Sequence, residues 1–414
     1  MQISFYTFLV ISKEKDYYKF MSKLRDIMYS IGGFILSIGL PFTHIFGYVG
    51  GIFGLPALFD RKKLTYVKSV VIMMCAFLLY CIILAIFAEK KSLAFIGTLN
   101  YFAHWIIPFV LGICLGKRAM RFLKIYVVMI TVVIVIGLCS FIGIFPKMLL
   151  GEKIWSEGML WCFHHHNALA GMLILAIPIA FHLGGLYAMI FPILSVGLIL
   201  TGSRGYFIAT PLLIIGIVLY AIKKGSKYWI ILIILTILIS GVALLTSDVR
   251  NRVDTMFGGK WQTDLPAYSR LGYWQIAGWI FQENPIFGIG PGQLRTRTDL
   301  IQKLEEHNFS IDEKTAEIKH LHNFYLTTLA ETGIVGLLFI LSILYLLGKK
   351  LWNSGELGKL FGWGYFAFLI GNLFDSQMRG PSAAMDLFFL SGLIMAISAH
   401  SDTNKKHRES LVVE

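Results

Sequence analysis

Apolar runs of about 15 to 25 residues, cut by short polar connectors, fill most of this chain. A helix needs about 20 apolar residues to cross a hydrocarbon core of about 30 Å. Spans are predicted at roughly 26–41, 43–59, 66–87, 98–115, 124–145, 166–183, 186–200, 206–222, 228–245, 323–347, 360–375 and 384–400. The first two are short and could form a re-entrant pair, so about 12 spans are expected, with roughly 10 or 11 as alternatives. Backbone groups in lipid must be satisfied within the structure, and no ten-residue alternating pattern suggests a barrel. The fold class is therefore all-α, a polytopic helical bundle.

The net charge of +13 does not indicate a nucleic-acid partner, because of where it falls. Basic residues cluster in the connectors Lys13 to Arg25, Arg61 to Lys63, Lys117 to Lys124, Lys223 to Lys227, Lys349 with Lys350, and Lys405 to Arg408. These alternate with connectors poor in Lys and Arg, the positive-inside pattern. The charge reports orientation and contact with anionic headgroups. The five cysteines form no CxxC or paired framework, so they read as buried thiols. No small-residue cleavage site marks a removed signal peptide in the first 25 residues.

Three regions follow: transmembrane helices 1–9 in residues 1–245, an outer loop in 246–322, and helices 10–12 with a cytoplasmic tail in 323–414. The loop contains Pro266, Asn284-Pro285 and the turn glycines Gly288, Gly290 and Gly292. Between them Ser269 to Gln282 reads as a helix too short to span, expected in the headgroup interface. Loops of this length are usually functional.

Candidate site residues cluster where spans begin on the outside. Arg204 follows Gly202 and precedes Gly205 at the start of a span, where unpaired N–H groups and the helix dipole already attract anions. A guanidinium added there can bind phosphate bidentately, although an arginine snorkelling to headgroups would look the same. Arg270 repeats the arrangement, with pairing to Asp264 or lipid phosphate as its alternative. His320 and His322 would face the same side of an extended segment. Asn323 is the expected N-cap of the next span. Either imidazole could accept a proton from a hydroxyl. His164-His165-His166-Asn167 opens another span, with Asn167 as the expected N-cap and His166 as a polar cap or acceptor-site wall.

Glu331 falls about 12 Å into its span and needs a partner or a water-filled cavity. Asp375 and Arg379 flank the last outer connector and are expected to pair with each other. No metal is expected: HExxH and CxxC are absent, and consecutive histidines cannot all face one ion. No Asp-x-Asp pair is present to hold a cation on a nucleotide sugar. The sequence Thr201-Gly202-Ser203-Arg204-Gly205 misses the nucleophile elbow at its first position.

Together, Thr201-Gly202-Ser203-Arg204-Gly205, Ser269-Arg270-Leu271, Asn284-Pro285-Ile286-Phe287-Gly288-Ile289-Gly290, His320-Leu321-His322-Asn323 and Ala330-Glu331-Thr332-Gly333 resemble the O-antigen ligase/polymerase family, most strongly from about 165 to 400. The resemblance implies a multi-pass enzyme of the bacterial inner membrane that takes a glycan from undecaprenyl diphosphate on the periplasmic side. It implies that Arg204 and Arg270 bind the diphosphate and that His322 assists the acceptor hydroxyl. The His-x-His-Asn motif, the chain length and Asp375 look more like a ligase, whose acceptor is a lipid A-core sugar. A repeat-unit polymerase or a protein O-oligosaccharyltransferase of the same superfamily is the alternative. A lipid-linked precursor transporter fits less well, since the marked polar residues lie near one surface and no internal repeat is visible. No cofactor is implied.

Overall fold

The computed structural model describes residues 2–141, 154–156, 159–225, 265–307 and 317–413, with isolated positions between them. The expected span at 228–245 and the first part of the outer loop, with Asp264, lie outside the described residues except at isolated positions. The helices are α1 (Gln2–Gly39), α2 (Ile45–Gly54), α3 (Lys68–Phe87), α4 (Lys91–Tyr101), α5 (Ile107–Cys114), α6 (Ala119–Phe141), α7 (His166–Leu183), α8 (Ile190–Leu200), α9 (Arg204–Lys224), α10 (Leu265–Glu283), α11 (Asp299–Glu306), α12 (Phe324–Trp352), α13 (Gly355–Gly371) and α14 (Pro381–Val413). A π-turn at Phe102–Ile106 joins α4 to α5. Two-residue strands Trp155–Ser156 and Met159–Leu160 form one antiparallel pair.

This is an all-α, multi-pass membrane architecture. Seven helical stretches among the described residues are long and apolar enough to cross a membrane, and Ile45–Phe59 and Gly185–Leu200 are shorter apolar helices. Close approach between α5 and α14 rests on two glycines. A Cβ on Gly112 would lie 2.7 Å from the Phe389 carbonyl, and one on Gly392 would lie 2.4 Å from the Phe109 carbonyl. Small residues let membrane helices meet this closely, where packing rather than the hydrophobic effect drives association. Trp105 fills the adjacent space, stacked on Phe388 at 4.9 Å and edge-on to Tyr101 at 5.0 Å.

The span predicted at 323–347 is broken. At Gly333 the backbone leaves helical geometry (φ 64°, ψ −170°), and the freed groups pair with the outer loop. The amides of Ile289 and Gly290 donate to the carbonyls of Ala330 (3.1 Å) and Glu331 (2.8 Å). The amide of Ile334 donates to Pro285 O (3.0 Å), and Tyr80 Oη donates to Thr332 O (2.8 Å). Irregular backbone at membrane depth is tolerated only where protein satisfies it in this way. The turn glycines are needed here: a Cβ on Gly288, itself at φ 66°, would lie 2.5 Å from the Glu331 carbonyl carbon.

Helix α10 forms as expected, but its apolar stripe faces protein. Tyr273, Ile276, Ala277 and Ile280 are buried with Leu294, Leu300, Leu304, Ile318, Leu321 and Ala330 in a second core. An i, i+3, i+4, i+7 stripe is satisfied equally by lipid or by a neighbouring element. Here the loop supplies that neighbour.

A Cβ on Gly333 would stand 2.1 Å from Ile286 O, at a φ that L residues rarely adopt. Gly333→Ala should cost about 3 kcal/mol of stability. Thermal unfolding in detergent should register the loss. Gly278→Ala, where a Cβ would meet nothing within 4 Å, should be neutral or slightly stabilising.

Candidate functional site

At one end of the bundle a cavity of about 730 Å³ is walled by residues from 44–48, 93–104, 163–168, 292–322 and 375–382. Each of these segments lies at a connector or helix end that the charge pattern assigns to the outside. His320, His322, Asp375 and Arg379 all contribute to the wall. Four of the nine residues expected from sequence thus meet in one cavity.

The lead-in to α12 is fixed at several points. Asn323 caps the helix as expected, its Oδ1 accepting from Leu326 N at 3.0 Å. Phe324 N reaches the carbonyls of Asn372 (2.9 Å) and Asp375 (3.0 Å), and Leu321 N donates to Thr327 Oγ1 (3.1 Å). His322 takes a left-handed backbone, φ 47°, which is uncommon for a residue with a side chain. The result is a pair of imidazoles with ring centroids 4.4 Å apart, and Tyr273 of α10 lies 5.2 Å from His322.

Asp375 faces this pair from the opposite connector. Burial would raise its carboxyl pKa, but the neighbouring His322 and His320 outweigh that effect, aided by hydrogen bonds from Gln377 and the Ser376 amide. The net result lies below the ordinary carboxylate value. The Ser376 amide donates to Oδ1 at 2.7 Å and Gln377 Nε2 donates to Oδ2 at 3.0 Å. Both oxygens are oriented before any substrate arrives.

The expected Asp375–Arg379 pair does not form. Arg379 Nη1 lies 2.7 Å from Glu331 Oε1, with Glu331 fully buried and Arg379 only 20% exposed. Glu331 sits against the loop, and the arginine of the facing connector is its cation.

The His164–Asn167 cluster divides its tasks. The N-cap of α7 is His165, whose Nδ1 accepts from Asn167 N at 3.4 Å, rather than Asn167. Asn167 sits in the first turn, and its Oδ1 accepts from Ser203 Oγ at 2.6 Å. His166 Nδ1 lies 3.1 Å from Thr201 O, so it joins α7 to the start of α9 and is not part of the cavity wall. His164 bridges Ser382 Oγ (3.1 Å) and Pro41 O (3.0 Å). Burial lowers its pKa to about 4, so it is a neutral strut at pH 7.

Arg204 and Arg270 are not in the cavity wall. Each stands on a helix that abuts it. Arg204 opens α9, joined through Ser203 to the wall residue Asn167, and a Cβ on Gly205 would lie 2.9 Å from Phe374 Cβ, next to Asp375. Arg270 is one turn from Tyr273, which touches His322.

Residues 188–341 match the family described as O-antigen ligase. The match covers less than half of the chain; it supports the O-antigen ligase/polymerase family and an enzyme role at a coarse level, without separating ligase from polymerase. No curated protein matches the chain.

The segment matching the O-antigen ligase family runs from the 3₁₀ turn before α8 to the middle of α12. It carries Arg204, Arg270, His320, His322 and Glu331, while Asp375 and Arg379 lie beyond it. Among the wall residues that sequence reasoning missed are Arg295, Lys319, His44, His104 and Gln377. Lys319 adjoins His320 and could have been found from that position. His44 and His104 come from spans read only for hydropathy, and Tyr48 Oη lies 2.7 Å from His104 Nε2. His320, His322 and Asp375 also present one donor atom each within 4.8 Å, a set that could hold a divalent cation. The histidines alone raise the possibility of a metal, but the third donor, Asp375, comes from another connector and is not marked by their spacing.

Glu331→Ala leaves Arg379 without its counter-charge. Since Arg379 retains some exposure, the loss should sit near the low end for broken buried pairs, about 3 kcal/mol. Thermal unfolding should show the double variant Glu331→Met with Arg379→Met recovering part of it. Asp375 has a depressed pKa, so its stabilisation is complete above about pH 4, the unfolded carboxyl value, and disappears as pH falls through the folded value. The stability gap between wild type and Asp375→Asn should therefore shrink on acidification. A constant gap would mean that the imidazoles do not act on this carboxylate.

Proposed function

We propose that the protein is an O-antigen ligase, transferring a glycan from undecaprenyl diphosphate to a sugar hydroxyl of lipid A-core at the periplasmic face of the bacterial inner membrane. The observation that carries this reading is the placement of His322 beside Asp375 in one cavity, within a chain whose residues 188–341 match the family. In this mechanism the acceptor oxygen attacks the anomeric carbon, and the bond from that carbon to the diphosphate oxygen breaks. The acceptor proton passes to the His322 imidazole. Asp375 stabilises the imidazolium that results, as the carboxylate of an imidazole–carboxylate pair does elsewhere.

The diphosphate leaves with its electron pair and needs fixed positive charge. Arg204 and Arg270 supply it from two helices abutting the cavity, in the manner of a preorganised electrostatic clamp. Arg379, Arg295 and Lys319 add positive charge along the wall. The reaction is direct displacement, so the anomeric configuration inverts. His320 and Asn323 hold the base in place, Glu331 orients Arg379, and His166 secures the α7–α9 junction. Because the arginines neutralise the leaving group, no metal is required, and transfer should be insensitive to a chelator.

Purified protein, a carrier-linked glycan and lipid A-core provide the test. Arg204→Ala should abolish transfer while insertion and thermal unfolding stay unchanged. Normal transfer by that variant would remove the clamp from the mechanism. Glycosylated lipid A-core as product supports the ligase, whereas lengthened carrier-linked chains would identify a polymerase instead.

A further inference from the structure

A second cavity, of about 750 Å³, lies at the opposite end of the bundle, between α1, the turn at 61–66, the turn Gly116–Arg118 and α14. Two helical paths fix the separation. Leu93 lines the first cavity and Cys114 the second along α4–α5, and Ser382 and His400 do the same along α14. At 1.5 Å per residue either path is about 30 Å, the thickness of the hydrocarbon core. The second cavity therefore sits at the other membrane surface, the one the basic connectors assign to the cytoplasm.

Its charges do not cancel. Asp26 accepts from Lys63 Nζ at 3.2 Å, and Asp60 lies 3.7 Å from both Lys63 and Arg25. Lys63 also donates to Cys114 O at 3.0 Å. Those contacts hold α1, the 61–64 turn and α5 together and use up both carboxylates. Arg118 donates to Asp26 O at 2.8 Å and to Ser30 Oγ, both neutral acceptors. Among the described residues, Lys62, Lys117 and Arg118 thus bring three cations to the cavity with no carboxylate paired to them.

Beyond these charged groups the wall is largely apolar, with Tyr66 and His400 as its polar members. Ala396 and Ala399 on one face of α14 leave the space open, and Ile113 and Leu115 form its hydrocarbon side. The positive-inside rule explains basic residues in this connector, but it does not explain a cavity kept open among them. Cations at the rim above an apolar floor, at headgroup depth, match a phosphate joined to acyl chains.

We infer that this cavity binds the headgroup of an anionic phospholipid, with Lys62, Lys117 and Arg118 around the phosphate. The site is independent of the chemistry assigned to the outer cavity. Native mass spectrometry of the full chain in detergent tests it, using phosphatidylglycerol, phosphatidylcholine with the same acyl chains, and inorganic phosphate as probes. Phosphatidylglycerol adducts should dominate, and the double variant Lys62→Gln with Lys117→Gln should weaken them about tenfold or more, from the usual worth of a lysine near an anionic surface. Ala399→Leu, which fills the cavity without changing charge, should weaken them as well. The double variant Arg121→Gln with Lys124→Gln, at a separate basic patch on the same end, should leave them intact. Equal binding of the two lipids, or equal loss in both double variants, would reduce the site to general headgroup attraction and overturn it. Displacement by inorganic phosphate as effective as by lipid would overturn the lipid assignment.

Discussion

A helix inside a bilayer cannot leave its amides and carbonyls unpaired, and the break in α12 at Gly333 is the constraint from which the outer site follows. The groups it frees around Ala330 to Val335 are taken up by Pro285 to Gly290 and by Tyr80. That pairing carries the outer loop into the bundle and turns Glu331 toward Arg379. Arg379 belongs to the connector that also holds Asp375, and Phe324 N ties the start of α12 to that connector. The same connector thus carries both Arg379, paired with Glu331, and the carboxylate that faces His320 and His322.

The electrostatics of the outer cavity divide into two parts. Glu331 and Arg379 neutralise each other at its inner edge. Asp375 remains directed at the imidazoles, with its oxygens fixed by Ser376 and Gln377. In the proposed transfer, a fixed anion beside an imidazole eases proton transfer to it, and fixed positive charge eases departure of a diphosphate. Neither effect requires the protein to reorganise at the moment of reaction. The family match, over 188–341, covers the imidazoles and both flanking arginines, and the fold supplies Asp375 from outside that stretch.

Much of this was legible in the sequence because membrane helices announce themselves by length. Asn323 was readable as a cap, and Gly288, Gly290 and Gly292 as turn positions, since local chemistry decides both; their positive φ is what the structure adds. Partners distant in sequence were not legible. Nothing near Arg379 marks Glu331 as its counter-ion, because the break that brings them together depends on a loop about 45 residues before it. The cap of α7 falls on His165, two residues before Asn167, whose side chain instead accepts from Ser203 at the start of α9. Arg204 and Arg270 stand on helices that abut the cavity and are not among its lining residues, because position at a helix start does not specify where a long side chain ends.

The rate of glycan transfer by a His322→Ala variant whose thermal unfolding matches the wild type tests the central claim most directly. Loss of the base should lower the rate by roughly 10²–10⁴-fold, the range for general-base catalysis, while donor binding persists. Transfer at the wild-type rate would contradict the assignment of the imidazole–carboxylate pair as the group that activates the acceptor.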